Sequence, residues 1–413
     1  VSNPLMNLYM QFTKQTEQPA QFRRWAILSA VSAALGRRNY FKQGRLTVYP
    51  HQYILLSGLP ATRKSSAILE AAKLLKQAGY RSFAPKTSTR EKFIEDLQIG
   101  FAQTNRSDDD TLEDLFTKVS FEESPCYIAA GEFLTFIQQG NVLFINMLSD
   151  LWDITDEPYQ ERFKKTQSVV VHNPIINFIG GVTHETLKMA MPEKILGHGF
   201  LSRTIMVHSD PVVDKITFPE DADSALRDAI VVHLERILKM RGVFTATPEA
   251  LTLIDRIYTR SRPLADARLQ AYHGRRLDHM LKLAQACAAC RSTHVIDADC
   301  VEEANTILSY TEESMGQALG ELGDSRNARA SQNIMNVLSN ANGPVHIDEL
   351  YKGVMQDVTR HQEFLEMLQN LEKAKKVIHE MSEGAMYYLL ARTVDTADTV
   401  GVNKSKWLEE FAE

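Results

Sequence analysis

An α/β fold, a mainly parallel sheet covered by helices on both faces, is predicted by three features of the sequence. Short apolar β-type runs alternate with helical segments between residues 46 and 210, the first run ends in a glycine loop, and that loop opens directly onto a helix. A composition of 44% hydrophobic and 24% charged residues fits an ordinary globular chain, and 413 residues suggest two or three domains.

Taken in order, residues 1–45 are expected to be helical, above all FRRWAILSAVSAALGRR, whose apolar stripe is closed by Gly36. Its arginine pairs, Arg23/Arg24 and Arg37/Arg38, read as solvated ends of a packing helix, with a DNA-binding arm as the alternative. YILLSG, from Tyr53 to Gly58, is the first strand, and SSAILEAAKLLKQAG the helix after it. YRSFAP is a second strand candidate, followed by a capping box at Ser88–Glu91 that opens the helix REKFIEDL. Residues 103–124, with Asp108, Asp109 and Asp110, read as a polar loop or solvated helix. CYIAA leads into Gly131 and Glu132 and then the helix NVLFINMLSDLWD, while INFIGGVT and RTIMVHS complete the alternation over 46–210.

From about residue 216 the β-type runs give way to helical spacing, which predicts a separate helical lid over 211–322. Over 323–392 three helices precede KVIHEM and AMYYLLA, joined through Ser382, Glu383 and Gly384, the order of a winged helix. Residues 393–413 read as either a docking helix or a disordered tail.

The formal net charge of −6 excludes a uniformly basic coat, so any nucleic-acid contact must come from a local patch. No apolar run approaches the roughly 20 residues that span a bilayer, so no membrane role and a cytoplasmic location are expected. Four cysteines make no disulfide framework, and Cys287 and Cys290, spaced CxxC within a helical pattern, read as buried core thiols. His172, His184, His198 and His208 show no metal-ligand spacing.

The chemistry lies in Gly58-Leu59-Pro60-Ala61-Thr62-Arg63-Lys64-Ser65, followed by Ser66, which matches GxxxxGK[ST] except that Arg63 replaces the second glycine. A loop between a strand end and a helix N-terminus points backbone N–H groups at phosphates, the lysine reaches the outer phosphates, and the serine hydroxyl binds magnesium. Arg63 departs from the pattern because a side chain resists the backbone conformation a glycine adopts there. These residues predict a P-loop NTPase with ATP and Mg2+ as ligands. Hydrolysis also needs a carboxylate at a neighbouring strand end. Glu132 is the candidate for that carboxylate and, with Ser65, for the metal, unless it is a solvated acid opening a helix. Gly131 stands where an aspartate usually precedes it.

The order WAILSAVSAALGRR, YILLSGLPATRKSSAI, AAGEF, MLSDLWD, NFIGGVTHETL and GFLSRTIMV, over about residues 22–208, resembles an uncharacterised family of P-loop ATPases common in phages and integrated elements and described as replicative or primase-associated helicases. RRLDHMLKLAQACAA and VIDADCVEEANTIL are similar to the lid of minichromosome-maintenance helicases and related AAA+ proteins, which often end in a winged helix. The resemblance implies an AAA+/RecA-like core and further roles. Thr183 would be the polar sensor, or else only a helix cap. Arg203 would be an arginine finger for a neighbouring subunit, or else a surface ion pair. Arg276 would be a second sensor, with Arg275 and Lys282 as close competitors. Lys164 and Lys165 would form a pore hairpin touching the DNA backbone, or else a charged tip facing water.

The expected protein is therefore an ATP-driven translocase or helicase, a hexameric ring acting on single-stranded DNA with primase or loader partners. A helicase loader or origin-binding initiator is the first rival reading. A scaffold that binds nucleotide without hydrolysing it is the second.

Overall fold

The computed structural model describes residues 3–104, 123–138, 141–162, 168–190, 199–210, 215–218, 223–264, 266–319, 326–341, 343–355, 358, 360–373, 376–382 and 385–390. Two compact units divide the chain after Leu322.

In the first unit, α1 (Pro4–Phe12) is capped by Asn3, whose side chain accepts from the Met6 amide, with proline at its first turn. α2 (Ala20–Leu35) is alanine-rich and lacks interior glycine or proline, so nothing interrupts it before Gly36. Every residue from Phe22 to Leu35 is buried, so α2 is covered on all sides. That burial corrects the expectation of solvated ends: Arg23 and Arg24 are buried too, and Arg23 donates to the Met10 carbonyl at 3.2 Å and to Thr13 Oγ1 at 3.3 Å. The carbonyl at the end of α1 supplies what water would otherwise give.

Residues 1–45 are not wholly helical either. β1 (Asn39–Gln43) pairs antiparallel with β2 (Leu46–Val48) and parallel with a strand 200 residues away, described below.

The main sheet comprises β3 (Tyr53–Ser57), β4 (Ser124–Ala130), and further along the chain β7 (Pro174–Val182) and β8 (Thr204–His208). Its order is β4-β7-β3-β8 and every pairing is parallel. β3, β7 and β8 are buried at every position, which requires cover on both faces and explains their unbroken apolar runs. α3 (Lys64–Gln77) packs with α2 against this sheet, and α5 (Val142–Trp152), which follows α4 (Arg90–Ile99), packs on β7. YRSFAP contributes one bridge, Phe83 to Tyr127, and no strand, since Pro85 removes a donor directly afterwards. Between β4 and β7, β5 (Tyr159–Glu161) and β6 (Val169–Val171) form a two-stranded antiparallel pair.

The segment read as a separate lid belongs to the same unit as the sheet. After α6 (His184–Ala190) come α7 (Ser224–Lys239), β9 (Gly242–Ala246), α8 (Pro248–Arg260), α9 (Arg276–Cys290), β10 (Val295–Ile296) and α10 (Ala298–Leu319). α10 packs on β8 and α9, and β9 joins β1 in a second sheet of order β10-β9-β1-β2. Two-stranded β1/β2 would be marginal alone, and β9 supplies the missing partner. Cys126, Cys287, Cys290 and Cys300 are free and buried.

The second unit contains α11 (Arg326–Asn340), β11 (Val345–His346), α12 (Ile347–Val354), α13 (His361–Lys373), β12 (Val377–Ser382) and β13 (Ala385–Leu390). β13 lies between β11 and β12, antiparallel to both. Its own core includes Ile334, Leu350, Phe364, Leu368 and Val377. Among the described residues, no helix is long and apolar enough to cross a membrane.

Candidate functional site

The carboxyl ends of β3, β4, β7 and β8 gather Gly58, Gly131, Glu132, Thr183 and His208 at one edge of the sheet, where ligands of parallel α/β folds bind. The loop from Gly58 to Arg63 leaves β3 and enters α3 at Lys64, with Leu59, Pro60, Ala61 and Arg63 exposed. Two of its residues take left-handed backbone, Ala61 at φ 66° and Arg63 at φ 59°. Position 63 therefore adopts the conformation a glycine would favour, although it carries an arginine. The Arg63 guanidinium lies over to Glu17, donating from Nε at 3.0 Å and through a second contact from Nη2, and Glu17 also accepts from the Ile216 amide at 3.0 Å. These contacts hold the Glu17 carboxyl below its usual pKa, the Arg63 hydrogen bond being the main cause.

Lys64 is buried, and its Nζ donates to the Gly58 carbonyl at 2.9 Å, the Leu59 carbonyl at 2.7 Å and Thr62 Oγ1 at 2.9 Å. Burial lowers its pKa from the ordinary lysine value, and the Glu132 carboxylate acts in the opposite sense. Glu132 itself is exposed and precedes a short helical turn, Phe133–Phe136, without capping it through its side chain.

Ser65 Oγ donates to the Gly131 carbonyl at 3.0 Å. A methyl at Gly131 would sit 3.2 Å from both Ser65 Cβ and Oγ, and one at Gly181 would sit 2.3 Å from the Gly131 oxygen. The three chain segments thus approach as closely as they do because two of them carry no side chain. Gly58 is similar, since its methyl would meet the Ser209 carbonyl at 2.6 Å. A cavity of about 280 Å³ adjoins the loop, lined by Gln15, Glu17, Gln18, Arg63, Ser66 and Ile216 among others.

The remaining predicted residues that the structure describes are engaged by other partners. The Thr183 hydroxyl accepts from the Thr186 amide at 3.2 Å and lies 3.1 Å from Thr186 Oγ1, so it caps α6, the alternative that the sequence left open. Arg276 is engaged inside the unit: it pairs with Glu312 at 2.8 and 3.0 Å, and donates to Asn305 Oδ1 and Ser309 Oγ at 3.0 Å each. A buried guanidinium needs fixed acceptors, and α10 provides them on one face. Lys164 and Lys165, with Asp108–Asp110 and His198, lie outside the described residues.

Arg203 immediately precedes β8, where Thr204 is in register with Tyr53 at the start of β3. The full length of β3, roughly 15 Å at 3.3 Å per residue, separates that level from the loop. Its guanidinium donates to the Gly199 carbonyl at 3.0 Å and pairs with Asp153, which also accepts from Arg275 at 3.2 Å. Both arginines lie over the Trp152 ring, at 5.9 and 5.1 Å. Neither Asp153 nor Glu17 had a signal in the sequence, for each lies tens of residues from the arginine it holds.

No protein-family model matches the chain, and no curated protein matches it.

Proposed function

We propose that the protein is an ATP-driven DNA translocase or helicase that works as a ring on single-stranded DNA. The observation that carries the reading is the convergence of Lys64, Ser65 and Glu132 at the ends of parallel strands, on a loop whose residue 63 has the backbone of a glycine. Nucleotide phosphates would compete for the ammonium donors that Lys64 gives to its own loop, and the exposed loop residues leave them room. The adjoining cavity beside Ser66 supports space for the rest of the nucleotide.

Ser65 and Glu132 would hold Mg2+, whose charge would neutralise that of the phosphates. Glu132 is exposed enough to orient a water molecule. Arg203 is a strand length from its own loop and paired with Asp153, so a role in hydrolysis would lie at the site of another copy and require it to leave that pair. The three helices and terminal hairpin of the second unit support a winged helix, and the antiparallel pairing of β5 with β6, between which Lys164 and Lys165 fall in the sequence, is compatible with the pore-hairpin expectation.

A second reading, nucleotide binding without turnover, is favoured by Gly131, whose carbonyl takes the Ser65 hydroxyl and which brings no carboxylate of its own. ATP hydrolysis with and without single-stranded DNA, beside Lys64→Ala, tests both. DNA-stimulated turnover lost in the variant supports the motor, whereas binding without turnover supports the second reading.

A further inference from the structure

β7 and β8 flank β3, and each delivers a histidine to the same end of it. His208 is the last residue of β8, in register with Ser57, and His184 opens α6 two residues after Val182, which is also in register with Ser57. Their rings stack across that end, with centroids 5.4 Å apart and planes at 16°. The neighbouring Ser209 carbonyl touches the Gly58 position, which fixes His208 beside the loop.

Each ring has a buried nitrogen without a hydrogen-bond partner, Nδ1 of His208 and Nε2 of His184. Buried ring nitrogens normally have one, so two together beside a cationic loop point to a missing acceptor or donor. The other His208 nitrogen faces Asp210 only loosely, at 3.9 Å, and Asp210 is exposed. His208 is depressed below its ordinary pKa, first by burial and then by His184 and Lys64, which leaves a neutral ring with one N–H to donate. Thr183, by contrast, has spent its hydroxyl on Thr186.

We propose that His184 and His208 together contact the terminal phosphate of a nucleoside triphosphate seated on the 58–65 loop. The inference rests on the nucleotide-site reading and moves the phosphate-sensing role from Thr183 to the imidazole pair. Each ring donates one N–H to a phosphate oxygen that a diphosphate lacks, so the pair distinguishes the two nucleotides.

The test is equilibrium binding of fluorescent ADP and of a fluorescent non-hydrolysable ATP analogue to wild type, Lys64→Ala, His208→Asn and His184→Gln. Loss of a hydrogen bond to a charged group predicts weakening of the analogue on the order of ten-fold in either histidine variant. ADP should stay within about two-fold, because it makes no such contact, while Lys64→Ala loses both. Equal losses for both nucleotides, or none, in the histidine variants overturn the proposal and leave the nucleotide site standing. Wild type that binds neither nucleotide overturns both. Should His208→Asn fail to fold, His184→Gln, at a half-buried position, decides the matter.

Discussion

The Ser65 hydroxyl donates a 3.0 Å hydrogen bond to the carbonyl of Gly131, tying the start of α3 to the end of β4. The bond depends on Gly181, since any side chain there would push the Gly131 oxygen away. Gly181→Ala should destabilise the protein by about 1–3 kcal/mol, the usual cost of overpacking, and weaken magnesium-dependent nucleotide binding. Urea unfolding of the variant checks the first effect, and unchanged stability would contradict the observed approach of β4 to β7.

Arg63 has φ 59°, a conformation that costs a non-glycine residue about 1–2 kcal/mol. Arg63→Gly removes that strain together with the Glu17 ion pair, and should keep both the fold and nucleotide affinity. Arg63→Ile, β-branched at positive φ, should be less stable than the glycine variant by about 2 kcal/mol. Thermal unfolding and nucleotide titration of the two variants give the comparison.

If Arg203 serves the site of another copy, Arg203→Ala should bind nucleotide normally yet hydrolyse it on the order of a thousand-fold more slowly. Mixing it with Lys64→Ala should recover activity, because some interfaces then join an intact loop to an intact arginine. No recovery at any mixing ratio would argue against action between subunits.

Lys282 is buried against Trp152, with Nζ 4.3 Å from the ring centroid, 3.1 Å from the Tyr49 carbonyl and 3.0 Å from His51. Burial brings its pKa down to about 7, Arg275 acting in the same sense and Asp278 and Asp153 against it. The unfolded chain therefore holds this proton up to its ordinary pKa of 10.5, while the folded protein releases it near 7. Unfolding takes up a proton in that window, so stability should rise with pH from about 7 toward 10.5, and the full cost of the buried charge remains below 7. Denaturant unfolding of Lys282→Met against wild type should show the variant's relative advantage greatest below pH 7 and fading as pH climbs.

Phe364 is fully buried in the core of the second unit. Phe364→Ala should cost that unit about 3–5 kcal/mol and leave the first unit's transition in place. Calorimetry of the whole chain should show one transition lowered and the other unmoved.

The sequence by itself determined the strand, glycine loop and helix between Tyr53 and Gln77, the apolar runs of β4, β7 and β8, and the helices and hairpin after residue 326. Each is written in periodicity and turn residues within a few positions of one another, which is where local sterics and side-chain alternation act. Only the tertiary structure decided that Arg23 and Arg24 are buried, that β1 finds β9, that Glu17 holds Arg63, and that Arg203 lies a strand length from Lys64. It likewise stacked His184 on His208 and gave Arg276 to Glu312. Those outcomes follow from which strands become neighbours and which acceptors a buried cation meets, and both are set by long-range packing that no local pattern encodes.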